Sequence, residues 1–153
     1  MRSVKTLFLL WLVAGWPGLA VEAASLKLIK VLPQFLDREG RYAVSPSLFD
    51  RDAYQVHLRR HPEERSGLRF AVEWRGPRSA RPTLRVELRG AQGQEPTTAT
   101  VEKPVRRHGL FSSWSSLELT GKSYKEFGEL AAWRATLWDS GRKVAEQKSF
   151  LWE

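Results

Sequence analysis

The chain predicts an all-β fold, an antiparallel β-sandwich of about seven strands with one short helical insert between the first two strands. Three observations carry that expectation. The stretches L-R-F-A-V-E-W-R (68–75) and T-L-R-V-E-L-R (83–89) alternate apolar and polar residues, as strands with one buried face do. Short polar segments holding Gly or Pro separate such stretches along the chain. Only Ser45–His61 has its apolar residues at helical spacing.

Ahead of the first strand lies a leader. Arg2 and Lys5 form a positive start, Thr6–Ala14 is apolar, and Gly15, Pro17 and Gly18 break any helix. Small residues follow at Ala20, Ala23 and Ala24. A signal peptidase requires small side chains before its cut, and Val21-Glu22-Ala23 meets that requirement. A spanning helix needs about 20 apolar residues, more than this run supplies. The expected organisation is a signal peptide over 1–23 and a single β-sandwich domain over 24–153. The protein is therefore expected to be exported, periplasmic or secreted, with no transmembrane segment after cleavage.

The chain has no cysteine. That excludes a disulfide scaffold, a Cys-ligated zinc site and lipid attachment at a cysteine. Secreted eukaryotic domains of this size often carry disulfides, so their absence points to a bacterial exported protein. The formal net charge is +8, of which the leader's Arg2, Lys5 and Glu22 account for +1. A basic surface attracts anionic partners and also keeps a protein soluble.

The elements follow in order. Leu26–Phe35 is the first strand, with Leu26, Leu28 and Val31 inward and Lys27 and Lys30 solvated. Pro33 has no N–H, so it ends the strand or marks an edge. Asp37–Arg41 is a turn. In the helix, Ser47 or Asp50 is the cap and Leu48, Phe49, Ala53, Tyr54 and Leu58 form the apolar stripe. Arg59, Arg60 and His61 suit its C-terminal dipole, and Pro62 stops it. Leu68, Phe70, Val72 and Trp74 then face inward, as do Leu84, Val86 and Leu88. The link Gly76–Pro82 holds two prolines and suits a crossing between sheets. Gly90–Pro96 reads as a turn, Thr97–Val105 as a strand with an edge at Pro104, and Ser113–Leu119 as a strand with polar outward positions. Thr120–Gly128 reads as a loop. Leu130–Trp138 and Lys143–Trp152 form a hairpin around Asp139-Ser140-Gly141. Its second strand alternates poorly, which signals a bulge or an edge.

The C-terminal stretch A-W-R-A-T-L-W-D-S-G-R-K-V-A-E-Q-K-S-F-L-W resembles the last two strands of immunoglobulin-like and fibronectin type III-like domains. The resemblance is one of fold, and it implies an immunoglobulin-like sandwich of an exported protein. Such sandwiches host many functions, so it implies none in particular.

Chemistry-bearing patterns are sparse. His57 and His61 stand four apart, the helical spacing of paired zinc ligands, and a third ligand is open among His108, Asp50, Asp52 and Glu63. Leu58 occupies the glutamate position of an H-E-x-x-H motif, and Arg59 and Arg60 repel a cation. Asp50 and Asp52 read as helix N-terminal charges, Glu63 and Glu64 as solvated, and Glu73 and Glu87 as partners of strand arginines. Ser112, Ser113, Ser115 and Ser116 lack a G-x-S-x-G elbow, and there is no Gly-rich phosphate loop. The reading assigns no catalytic residue, no metal and no cofactor.

What remains is surface. Arg59-Arg60 and Arg106-Arg107 are forked-contact candidates for phosphate or sulfate. Trp138 and Trp152 fall at outward positions of paired strands and form a candidate aromatic patch, while Trp74 and Trp133 read as core. The expected function is a non-catalytic binding module. Its partner is an envelope protein or a second copy reached through a sheet edge. The alternative is an envelope glycan or polyanion held by arginine and tryptophan. Nucleic acid is disfavoured by export, and a metal-dependent enzyme would rest on His57 and His61.

Overall fold

The computed structural model describes residues 25–153. The signal peptide expected over 1–23 lies outside the described residues. Two antiparallel sheets face each other. One holds β1 (Lys27–Asp37), β2 (Arg65–Arg75) and β5 (Ser113–Thr120), in the order β1-β2-β5. The other holds β3 (Thr83–Gln92), β4 (Glu95–Pro104), β6 (Glu129–Asp139) and β7 (Arg142–Lys148), in the order β4-β3-β6-β7. Helix α1 (Leu48–Arg60) lies between β1 and β2, and α2 (Gly121–Phe127) between β5 and β6. Among the described residues no helix is long and apolar enough to cross a membrane.

Alternation builds the core. Leu68, Phe70, Val72 and Trp74 of β2 meet Leu84, Val86 and Leu88 of β3, with Leu117, Leu119, Ala135 and Leu137 around them. All are buried, so every second side chain of each inner strand is removed from water. Trp74 carries a polar N–H into this core, and Ser115 Oγ accepts it at 3.0 Å. Gly76–Pro82 crosses from one sheet to the other, as the two prolines suggest.

The β1 edge is guarded. β1 continues through Pro33 to Asp37, and Pro33 leaves no N–H to present on that edge strand. At Phe35 the free backbone meets a side chain instead of a strand. Gln55 of α1 accepts from Phe35 N–H (2.7 Å) and donates to Phe35 C=O (3.0 Å) and Tyr42 C=O (2.8 Å). α1 is thus attached to β1 by polar groups. Ser47 caps it, accepting from the Asp50 N–H as expected. The expected apolar stripe does not form. Leu58 is buried, but Leu48 and Phe49 are 65% and 80% exposed, because the helix clasps an edge and does not enter the sandwich.

Two turns are tighter than the sequence suggests. β3 and β4 pair through Gln92 and Glu95, leaving only Gly93 and Gln94 between them, with Gly93 at φ +62°. Ser140 and Gly141, at φ +49° and +77°, turn β6 into β7. Two successive positive φ values match the twist of the hairpin strands. β7 ends at Lys148, a shorter strand than expected, and it is an edge whose pairing skips Val144 opposite Leu137/Trp138 of β6.

Thr120–Gly128, expected as a loop, contains α2. Its defining contact is long-range: Phe127 is buried beneath Gly90 at the end of the core. The chain leaves α2 through Gly128 at φ +78°, where a Cβ would lie 2.3 Å from the Ala91 carbonyl oxygen. Gly128→Ala is expected to destabilise the fold by about 2 kcal/mol, through strain and collision together. Urea denaturation of the variant checks this.

Candidate functional site

The arginine and tryptophan candidates come apart in space. Trp152 is 7% exposed and Trp138 half-buried. Arg89 and Arg134 stack over the Trp152 ring at 4.1 and 4.9 Å, and Arg85 over Trp138 at 4.8 Å. Carboxylates hold these guanidinium groups in turn, Glu102 that of Arg85 and Glu87 that of Arg134. The expected open tryptophan patch is therefore a ladder of arginine–aromatic stacks, which occupy the ring faces. Arg107 donates to the carbonyls of Gly109 (3.1 Å) and Gly76 (2.7 Å), so it braces the β4–β5 connection. Arg106 is exposed on that connection, and Arg59 and Arg60 are exposed at the end of α1.

A different set converges. On the outer face of the β1-β2-β5 sheet, register stacks three rows across the strands: Lys30, Glu73 and Trp114; Leu32, Ala71 and Ser116; Gln34, Arg69 and Glu118. The middle row is made of small and aliphatic side chains. Trp114 rises on one side of it and Arg69 on the other. Tyr42, from the β1–β2 connection, and Arg51, from α1, also line it. The result is a groove of about 270 Å³.

Each group in it is positioned. Arg69 donates to the Gln34 amide oxygen Oε1 at 2.5 Å, and its guanidinium lies 4.1 Å from the Tyr42 ring centre. Glu118 lies 3.8 Å from its Nε, a longer contact than those that hold Arg85 and Arg134. Arg51 is anchored loosely to Asp52 at 3.4 Å. Trp114 is 51% exposed. The lining thus offers the Trp114 face, two guanidinium groups, an amide and hydroxyls, which is the chemistry of recognising a flat or ring-shaped ligand that bears negative charge.

Sequence reasoning missed this groove by one step of parity. Ser113 and Ser115 share the inward parity of Leu117 and Leu119, which makes Trp114 outward. The serines serve the fold: Ser115 receives the Trp74 N–H, and Ser113 Oγ accepts from the backbone N–H of His108 (2.7 Å) and Gly109 (3.0 Å). Tyr42 and Arg51 come from a connection and a helix, where no strand period marks them.

No protein-family model, curated protein or solved structure matches the chain. The class that fold and site define is an antiparallel β-sandwich with an arginine- and aromatic-lined groove on one outer face.

Proposed function

We propose that this protein is an exported, non-catalytic binding module that takes an anionic sugar in the outer-face groove. The observation that carries this reading is the pairing of exposed Trp114 with Arg69 and Arg51 around a shallow floor. A tryptophan face stacks on a sugar ring, and the guanidinium groups fork onto its carboxylate or sulfate. The leader motif and the basic composition support export and an anionic partner. The order β1-β2-β5 against β4-β3-β6-β7 supports an immunoglobulin-like arrangement of the sandwich.

The test is calorimetric titration with an oligosaccharide of uronic acid units and with its neutral counterpart. The acidic sugar is expected to bind and the neutral one to bind at least tenfold more weakly. Trp114→Ala is expected to weaken binding about tenfold, the loss of one stacking contact, with unchanged thermal stability. Equal affinity of the variant and the parent rejects the groove. Raising salt is expected to weaken the acidic sugar, because exposed charges are screened within about 8–10 Å.

A second reading, docking of an envelope protein or a second copy, is favoured by a different observation. The edges of β4 and β5 flank an open channel lined by Thr100–Lys103 and Ser116–Glu118, and an unpaired edge accepts a strand. Pull-down from envelope extract at high salt separates the two readings, since a strand-paired protein stays bound there and a charge-held glycan is released.

A further inference from the structure

α1 ends in H-L-R-R-H, and Pro62 turns the chain at once into a single 3-10 turn, Pro62–Glu64. The helical spacing puts His57 and His61 on one face, with ring centres 4.4 Å apart. The turn then folds two carboxylates back onto them. Glu64 Oε2 lies 2.7 Å from His57 Nε2, and Glu63 Oε1 lies 3.2 Å from His61 Nδ1. Ligand atoms of His61, Glu63 and Glu64 all lie within 4.8 Å of one another. All four side chains are open to solvent, so an ion has a path in.

We infer that His61, Glu63 and Glu64 form a binding site for a divalent transition ion of the zinc type, with His57 positioning Glu64 from beside it. Zinc accepts imidazole nitrogen and carboxylate oxygen at about 2.0–2.2 Å in a tetrahedron, which sets neighbouring donors a little over 3 Å apart. The His61–Glu63 separation of 3.2 Å is on that scale. An ion among these three side chains replaces the His61–Glu63 contact, water completes its shell, and the two carboxylates balance its charge. The cations nearby oppose it. Arg59 and Arg60 lie on the intervening turn of helix, and Arg38 donates to the Glu63 carbonyl at 3.1 Å. They lower the affinity below that of a closed structural zinc site, but among the described residues none of their guanidinium groups donates to the side chains of His61, Glu63 or Glu64. The site is independent of the groove proposal. It fixes the corner where α1 returns to β2, and an ion there is expected to stiffen that corner.

The test uses the full chain, freed of metal by a chelator and titrated with zinc chloride by calorimetry. One zinc per chain and a rise in thermal midpoint are expected, with magnesium, which prefers all-oxygen sites, giving no heat. His57→Ala with His61→Ala is expected to weaken zinc binding at least tenfold, and Glu63→Gln with Glu64→Gln to do so with the imidazoles left in place. His108→Ala is expected to leave it unchanged. These four side chains are exposed, so circular dichroism of the variants is expected to match the parent. Absence of zinc heat in the parent, or retention of parental stoichiometry and affinity in the His57/His61 variant, overturns the inference.

Discussion

Trp74→Ala is expected to lower the free energy of unfolding by about 3–5 kcal/mol, near the upper end of core truncations. Trp74 is fully buried at the end of β2, between Leu28 of β1 and Ser113 of β5. Its removal opens a cavity between two sheets whose other members are fixed by strand pairing, so little collapse can fill it. It also strips the half-buried Ser115 Oγ of its N–H donor. Trp74→Phe separates the two effects: it keeps most of the volume and loses the hydrogen bond, and about 1–2 kcal/mol is expected. Urea denaturation followed by far-ultraviolet circular dichroism measures both, with an unchanged m-value marking a loss of native stability alone. A loss under about 1 kcal/mol for the alanine variant contradicts the inward register of β2.

That register is the part of the fold that sequence carries best. A period of two is imposed by the pleat, so Leu68-x-Phe70-x-Val72-x-Trp74 and Leu84-x-Val86-x-Leu88 name their own buried faces. The sheet crossing at Gly76–Pro82 is legible for a related reason, since two prolines are poor material for a tight hairpin. Contacts that join distant residues leave no such trace. Gln55 satisfies an edge strand twenty residues away, and nothing about a glutamine inside a helix announces it. Leu48 and Phe49 read as a buried stripe because apolar spacing does not reveal that a helix is held by polar groups. α2 depends on where Phe127 is buried, and Trp152 on arginines brought over it from β3 and β6. The groove divides along the same line. Arg69 and Ala71 follow from strand parity, Trp114 follows only once β5's parity is set by inward Leu117 and Leu119, and Tyr42 and Arg51 depend on how the β1–β2 connection runs.

That connection leaves β1 at Asp37, and Asp37→Asn is expected to cost about 2–3 kcal/mol at neutral pH. The carboxylate is buried, which raises its pKa. Four donors outweigh burial: Tyr54 Oη at 2.7 Å, the Arg41 backbone N–H and Nε at 2.8 Å each, and the Glu39 N–H at 2.9 Å. Together they bring the pKa down from the ordinary 3.8 to about 2. The folded pKa lies below the unfolded one, so the ionised carboxylate stabilises the fold fully above the unfolded value of 3.8. The contribution falls as pH drops from there through about 2, where the native group protonates as well. The shift corresponds to about 2 kcal/mol, after allowance for screening at the half-exposed Arg41. Asparagine keeps the shape but presents N–H where Arg41 and Tyr54 also donate. Stability of parent and variant, measured by urea midpoint from pH 7 to pH 2, is therefore expected to converge as pH falls. The difference between the two curves isolates Asp37 from the other carboxylates. A gap that stays constant over the whole range means that the charge contributes nothing. Because Tyr54 ties α1 to this same carboxylate, loosening it also frees Arg51 and Tyr42, and the variant is expected to bind the acidic sugar more weakly at pH 7 as well.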